Sequence, residues 1–412
     1  MHIKNQVVIT GLGVVAPNGV GIDPFWKSLV EGRSGIGKIT QFDASTFKCR
    51  IAGEVKDLSL KDSLPASLKV NRLARHTHLA LVAFHQALES ARFDPKASPH
   101  PLPIIMGVST SALELFERGV ADYLRKGPTG VSPYVVPFSS PQAVTSALAD
   151  SAGVSTQTST LSTACPSGLD AIAAGADLIR SGKADVVIAG GADSPICGYA
   201  FSGFANSRLV PFGELDPKNA SRPFDARRES GVLSEAAGVV VLESLDHARA
   251  RGADVYLQIT GYGTHMDTVK DVPGSGLEQS MLMAIANAGC GIKDIDLICA
   301  HGPGHPVLDV NETDAIKKVF GRQSYVTPVT SIKGVVGNPL AAAGPLQVIA
   351  CCLAIRHQMV PPTANYEEPD PKCDLDYVGE GARMARMGRI LINSHGIAGT
   401  NSSLMVEQVG GS

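Results

Sequence analysis

The feature that most narrows the possible folds of this chain is an order of segments that occurs twice. VVITGLGVV near the start resembles LQITGYGTH at 257–265, and ADVVIAGGADS resembles RILINSHGIAGTNSS at 389–403. In each pair a β-prone run passes into a glycine-rich stretch, and the two pairs follow in the same order, which points to a duplicated unit. The second copy begins near residue 253, after the charged helical run LDHARARGA, so the chain divides into 1–252 and 253–412. Two similar halves would put a functional site where they meet. The glycines are expected at strand ends, where the backbone turns sharply.

Strand-like and helical runs alternate throughout. QVVITGLGVV and PLPIIMGVS read as strands, FWKSLVEG as a short helix stopped by Gly32, and NRLARHTHLALVAFHQALESA as a long amphipathic helix. The helical run SGLDAIAAGADLIRSG leads into the strand ADVVIAGGAD. This alternation predicts an α/β fold with helices over both sheet faces. A length of 412 residues suits one large domain or two fused ones, and 44% hydrophobic with 18% charged residues excludes a disordered chain. A net charge of −3 with no basic stripe argues against a nucleic-acid partner. The N-terminus runs into a strand pattern with no apolar signal core, and the uncharged stretch Pro339–Ile355 carries two prolines and Gly344, so it reads as a buried core helix and not as a membrane span. None of the eight cysteines forms a C-x-x-C pair, so no metal site is indicated. A reducing cytoplasm is the expected location.

One cysteine stands apart. The small, β-prone run Gln157–Ala164 ends at Cys165, followed by Pro166, Ser167, Gly168 and a helix with Leu169, Ile172, Ala173, Ala176 and Ile179 on one face. Proline suits the first helical position, so Cys165 is expected at a helix N-terminus, where free N–H groups and the helix dipole favour a thiolate. A thiolate attacks thioesters well and keeps the acyl group activated as a new thioester. The same local pattern also allows a buried cysteine that only caps the helix.

The segments STACPSGLDAIAAGADLIRSGKADVVIAGGAD, SRPFDARRESGVLSEAAGVVVLESLDHARARGA, AHGPGHPVLDVNE, SIKGVVGNPLAAAG and NSHGIAGTNSSL resemble, in this order, the conserved segments of the elongating β-ketoacyl-acyl-carrier-protein synthases. The N-terminal VVITGLGVVAPNGVG fits as well. The resemblance implies the thiolase fold: two similar α/β halves in a five-layered αβαβα core, usually dimeric. It implies Cys165 as the acylated nucleophile, His301 as the first catalytic histidine, Lys333 as the family's lysine, and Asp309 and Glu312 as supporting acids. The backbone N–H groups of Cys165 and Ile397 would form the oxyanion hole, with His395, Gly396 and Ile397 in the gating loop. No metal or organic cofactor is implied, since the substrates ride on the phosphopantetheine of an acyl carrier protein.

The departures from that family cluster at the site. Asn338 stands at the second catalytic histidine, and Gln347 replaces the glutamate expected beside the lysine. Pro303 and His305 replace two threonines of the pantetheine channel, His395 and Ile397 replace two phenylalanines, and Ala398 replaces a glycine. An asparagine amide still donates a hydrogen bond to an enolate oxygen, and a Cys-His-Asn set serves the chain-initiating class of the superfamily. His395 is expected to bring an imidazole near Cys165, or else to pack where phenylalanine usually packs. Lys69, Arg72, Arg75 and Arg208 are expected to receive the acidic carrier protein, with plain solvation as the alternative. The partner subunit would be a second copy or a related ketosynthase-like chain. Three activities follow: decarboxylative condensation with a malonyl-carrier thioester in fatty acid or polyketide synthesis, acyl transfer to an alcohol, amine or thiol without decarboxylation, or a non-catalytic place in a heterodimer.

Overall fold

Gly11 and Gly13 lie inside the first strand, β1 (Val7–Ala16), and not in a turn after it. A Cβ on Gly11 would come within 2.3 Å of the Ala87 carbonyl oxygen, and one on Gly13 within 1.8 Å of that of Ala83. Both carbonyls belong to helix α1 (Arg75–Ala91), which presses flat on the strand. The second copy repeats the device. Gly261 and Gly263 lie inside a strand spanning Leu257–Met266, and their Cβ positions would fall 2.0 and 2.2 Å from the carbonyl oxygens of Ala284 and Ser280. The glycines predicted to turn the chain therefore serve close helix-on-strand contact, which no larger residue permits.

The computed structural model describes residues 5–56, 58–64, 70–213, 215–268, 270–397 and 399–410. Lys69 and Ala398 lie outside the described residues. In the first half, β1 is followed by β2 (Leu102–Gly107), β3 (Thr156–Leu161), β4 (Val186–Asp193) and β5 (Ala236–Ser244), paired in the order β3-β2-β4-β5-β1. In the second half, β6 (Leu257–Met266), β7 (Leu297–Cys299), β8 (Val329–Thr330), β9 (Arg389–His395) and β10 (Thr400–Glu407) pair in the order β8-β7-β9-β10-β6. Both sets read 3-2-4-5-1, parallel around the second strand and antiparallel toward the first. The sets join where β1 pairs with β6 at Val7, Val8 and Ile9.

Three buried clusters place the layers. On one outer face, α1 and α2 (Ala143–Ala152) pack Leu79, Val82, Phe84, Val144 and Leu148 against Ile104, Ile188 and Val239 of the first sheet. On the other, α4 (Leu277–Ala288) and α5 (Leu308–Phe320) cover Ile298, Leu391 and Met405 of the second. Between the sheets lie α3 (Ser167–Arg180) and α6 (Ala343–His357), in one cluster with the inner faces of both. This is the αβαβα sandwich. Both central helices are sheltered by sheets on two sides, so α6 is buried from Ala343 to Ile355. Leu346, Val348, Ile349, Leu353 and Ile355 there each contribute about 2 kcal/mol of transfer free energy. The apolar stretch at Leu340–His357 is long and apolar enough to cross a membrane, but 89% of it is buried inside the protein.

Two predicted helices start later than their sequence pattern suggests. α1 begins at Arg75, after a separate 3-10 turn at Val70–Arg72. The stretch from Pro339 makes a 3-10 turn at Leu340–Ala342 before α6, because Asp193 from β4 accepts the Ala341 N–H at 2.9 Å and holds the turn.

Candidate active site

Cys165 occupies a sharp elbow between β3 and α3. Ala164, just before it, has φ 61°, a left-handed conformation that costs a non-glycine residue on the order of 1 kcal/mol. Ser167 holds the bend: its N–H donates to the Ala164 carbonyl at 3.0 Å, and its Oγ accepts the Thr163 N–H at 2.8 Å. Asp170, one turn into α3, accepts from the Thr163 hydroxyl and from Tyr262 of the second half at 3.0 Å. Gly168 lets the turn before α6 touch the start of α3, since a Cβ there would lie 2.2 Å from the Ala341 carbonyl oxygen. That contact carries Asn338 to the cysteine.

The structure corrects the expectation of a resting thiolate. Burial pushes the Cys165 thiol up to about 11; Lys333 opposes this, Asp193 adds to it, and the backbone N–H groups of Ile397 and Cys165 itself lower it. Loss of water around this residue, which is 2% exposed, is the largest influence and outweighs the N–H groups and Lys333 together.

His301 follows β7, and a buried network fixes its ring. Lys333 Nζ lies 2.9 Å from His301 Nδ1 and donates to the His301 carbonyl at 2.5 Å. An ammonium only donates, so Nδ1 accepts and the ring proton sits on Nε2. Burial, then Lys333 and His395, hold the His301 pKa well below the ordinary value, so the ring is neutral. Burial lowers Lys333 to about 8. Glu312 accepts the N–H groups of His301 and Gly302 at 2.8 Å each, and Asp309 accepts those of Phe224, Gly304 and His305. The two acids thus shape the loop that carries His301. Burial raises both carboxyls, Asp309 to about 7.

Gln347, at the position of the family's glutamate, hydrogen-bonds to backbone carbonyls. Its amide nitrogen donates to the carbonyls of Ala300 at 2.9 Å and Asn393 at 3.0 Å, tying α6 to β7 and β9. Lys333 instead feels the charges of Glu312 and Asp309. Asn338 is held by its backbone, with its N–H donating to Val232 at 2.7 Å and its carbonyl accepting from Ser234 at 3.2 Å. Its side-chain Oδ1 is buried without a hydrogen-bond partner.

The loop after β9 closes over the elbow. A Cβ on Gly396 would sit 3.0 Å from both Ala164 Cβ and Pro166 Cδ, while the Ile397 side chain is 52% exposed at the rim. His395 is buried, with Nδ1 2.8 Å from Asn401 Oδ1 and its ring edge-on to His301 at 5.8 Å between centroids. Cys165, His301, Asn338, His395 and Ile397 line one small cavity of about 30 Å³ together with Pro303, His305, Leu308, Phe204 and Leu209. That volume holds about one water. His305 Nδ1 accepts from Val307 and Leu308, which leaves its Nε2–H as the ring's donor, whereas Pro303 has no N–H at all.

The basic residues separate. Arg75 is not free for a carrier protein: it makes a double hydrogen bond to buried Glu235 and donates to the Val55 carbonyl. Arg72 is exposed and stacks 3.9 Å over the Tyr134 ring, and Arg208 is exposed beside the cavity-lining Leu209.

Sequence reasoning missed Asp193, Asp267 and Asn401. Asp193 ends ADVVIAGGAD and collects N–H groups from Ser109, Thr110 and Ala341, joining β2, β4 and the Asn338 turn. Its only signal was an acid at the end of an otherwise apolar, glycine-rich strand. Asp267 and Asn401 carry no local signal, because they meet only through the pairing of β6 with β10.

Comparison with known proteins agrees with this architecture. Residues 4–248 match the family model "Beta-ketoacyl synthase, N-terminal domain", and residues 255–367 match "Beta-ketoacyl synthase, C-terminal domain". The chain is 38% identical over 418 residues to a putative polyketide beta-ketoacyl synthase 1 of Streptomyces cyaneus, covering 98% of each chain. It is 36% identical over 406 residues to 3-oxoacyl-[acyl-carrier-protein] synthase 2 of Synechocystis sp., covering 97% of each. Among solved structures, the ishigamide ketosynthase/chain length factor superposes with a TM-score of 0.92 at 31% identity, over 99% of this chain and 100% of that one. A type II polyketide synthase acyl-carrier protein in complex with its ketosynthase gives 0.91 at 30% identity, over 98% and 100%. With its twofold 3-2-4-5-1 topology and a cysteine elbow at the start of a central helix, the chain belongs to the β-ketoacyl synthase family.

Proposed function

We propose that this ketosynthase takes an acyl group from an acyl carrier protein onto Cys165 and condenses it with a malonyl-carrier thioester, with loss of carbon dioxide. The reading rests on one observation: Cys165, His301 and Asn338 line one cavity at the meeting of the two halves. The half at 1–252 brings the nucleophile, and the half at 253–412 brings the histidine, lysine and asparagine.

The N–H groups of Cys165 and Ile397 converge near the sulfur, where they would hold the thioester oxygen during acyl transfer. Once Cys165 is acylated, a malonyl thioester enters, and its decarboxylation puts negative charge on its own thioester oxygen. The Nε2–H of neutral His301 donates there, and the Asn338 amide takes the second place. The enolate carbon attacks the acyl group, carbon–carbon bond formation releases the Cys165 sulfur, and a β-ketoacyl-carrier thioester leaves. Lys333, Glu312 and Asp309 position the histidine loop.

The carrier's phosphopantetheine would enter past His305 and Leu308, with Arg72 and Arg208 facing its acidic surface. The partner subunit is a second copy or a related ketosynthase-like chain, and the eight unpaired cysteines suit the cytoplasm. A second reading, acyl transfer to an alcohol, amine or thiol, draws on Asn338 in place of the usual histidine. Carbon dioxide release from a malonyl-carrier thioester together with a β-ketoacyl product supports condensation; acyl transfer with no carbon dioxide supports the second reading. A purely structural subunit would show no acyl adduct on Cys165.

A further inference from the structure

Asn401 has one possible orientation. Its Nδ2 donates to Asp267 Oδ1 at 2.9 Å and to the Gly399 carbonyl at 2.9 Å. Its Oδ1 therefore points at His395, 2.8 Å from Nδ1, and can only accept. His395 Nδ1 must carry the ring proton, which leaves Nε2 with a lone pair. Asp267 is itself anchored by the N–H groups of Gly274 at 2.6 Å and Gly276 at 2.7 Å. The order Asp267–Asn401–His395 thus makes Nε2 the accepting nitrogen of a neutral imidazole, and His395 lines the Cys165 cavity.

The neighbouring histidine has the opposite tautomer. Lys333 makes Nδ1 of His301 the acceptor, so His301 offers a donor while His395 offers a base. The two rings meet edge to face, 5.8 Å between centroids. The cavity also holds a thiol that burial keeps protonated, and a thiol must lose its proton to attack a thioester. The mechanism above supplies no acceptor for that proton: His301 Nε2 already carries one, and Asn338 is not basic.

We propose that His395 is the general base for acylation of Cys165, oriented by Asn401 and Asp267. This rests on the reading that Cys165 is the acylated nucleophile. The Cys165 proton passes to His395 Nε2 as the sulfur attacks the acyl thioester. The new carbon–sulfur bond forms, the bond to the carrier sulfur breaks, and the imidazolium returns the proton to the departing carrier thiol. No proton is gained or lost overall. The charged and titratable groups that face His395 are Asp267 through Asn401, Lys333, His301 and His305. Burial, the largest influence, keeps the His395 pKa below the ordinary value, so the base is free at neutral pH.

The test compares the full-length protein with His395→Phe and His395→Gln, the second keeping a polar side chain in the loop. Alkylation of Cys165 by iodoacetamide is followed by peptide mass from pH 6 to 10, since it needs the thiol proton removed but no acyl chemistry. Acylation by an octanoyl-carrier thioester is followed in parallel by intact mass. Both rates are expected to fall about a hundredfold at pH 7 in both variants. The gap should close toward pH 10, where hydroxide ionises the thiol without help. Wild-type rates in the variants, or an equal loss at every pH, would overturn the proposal. If the wild type is alkylated with the His395-dependent profile but never gains acyl mass, the base stands and the ketosynthase reading fails.

Discussion

Lys333 Nζ lies 2.9 Å from His301 Nδ1, and this contact decides which ring nitrogen carries the proton. Without the lysine, the ring is free to move its proton to Nδ1 and present a lone pair where a donor is needed. Lys333→Ala is therefore expected to slow carbon dioxide release from a malonyl-carrier thioester by about a hundredfold, the usual cost of losing one donor to a developing oxyanion. Acylation of Cys165 should fall much less. Equal loss in both steps would show that Lys333 serves the cysteine rather than the histidine.

The same lysine gives stability a pH signature. Burial lowers Lys333 to about 8 from its ordinary 10.5, so between those values the unfolded chain binds a proton that the native protein does not. Stability from this group is fully present above pH 10.5 and is lost as pH falls through 8, a difference of about 3 kcal/mol over the whole window. Denaturant unfolding of wild type and Lys333→Met should therefore show the wild type gaining on the variant as pH rises from 8 to 10. A constant difference would contradict a buried, proton-shedding lysine.

Glu312 binds two backbone N–H groups at the base of the histidine loop. In Glu312→Gln one of them faces an NH2 group instead of an oxygen, leaving a buried donor unsatisfied. The expected loss is about 2 kcal/mol of unfolding free energy, with a larger proportional loss of decarboxylation than of acylation. Unfolding midpoints measured beside the two partial activities check this.

The arginines differ in kind. Arg75→Ala strands the carboxylate of Glu235, which is fully buried, although Gln41, Val55 and Ser194 still donate to it. Arg75 is itself partly exposed, so the expected loss is about 2 kcal/mol of stability rather than the full cost of breaking a buried pair. Arg72→Glu and Arg208→Glu should leave stability within about 0.5 kcal/mol and weaken carrier-protein binding, increasingly so at low salt. Unchanged carrier affinity in the double charge reversal would remove these residues from the docking surface.

The duplicated order of segments was legible because each copy rebuilds the same five strands, and Cys165 stood out because a strand, a small-residue run and Pro166 converge on it. The glycines were misread as turns because a sequence does not show that Ala83 and Ala284 press their carbonyls onto the strands. The thiol was misread because local pattern reports the helix end but not the burial, and burial wins. Gln347 and Arg75 took other partners than the family pattern suggested: Gln347 reaches the carbonyls of Ala300 and Asn393, and Arg75 reaches Glu235. Asp267, Asn401 and His395 are joined by sheet pairing across the second half, so no linear spacing reveals them.

The most direct measurement is intact mass of the purified protein after addition of an acyl-carrier thioester and then a malonyl-carrier thioester, with carbon dioxide recorded in parallel. An acyl adduct on Cys165 is expected that disappears on the second addition, with carbon dioxide and a β-ketoacyl-carrier product in equal amounts. An adduct that persists without carbon dioxide release, or product formed equally well by Cys165→Ala, would rule out condensation through Cys165.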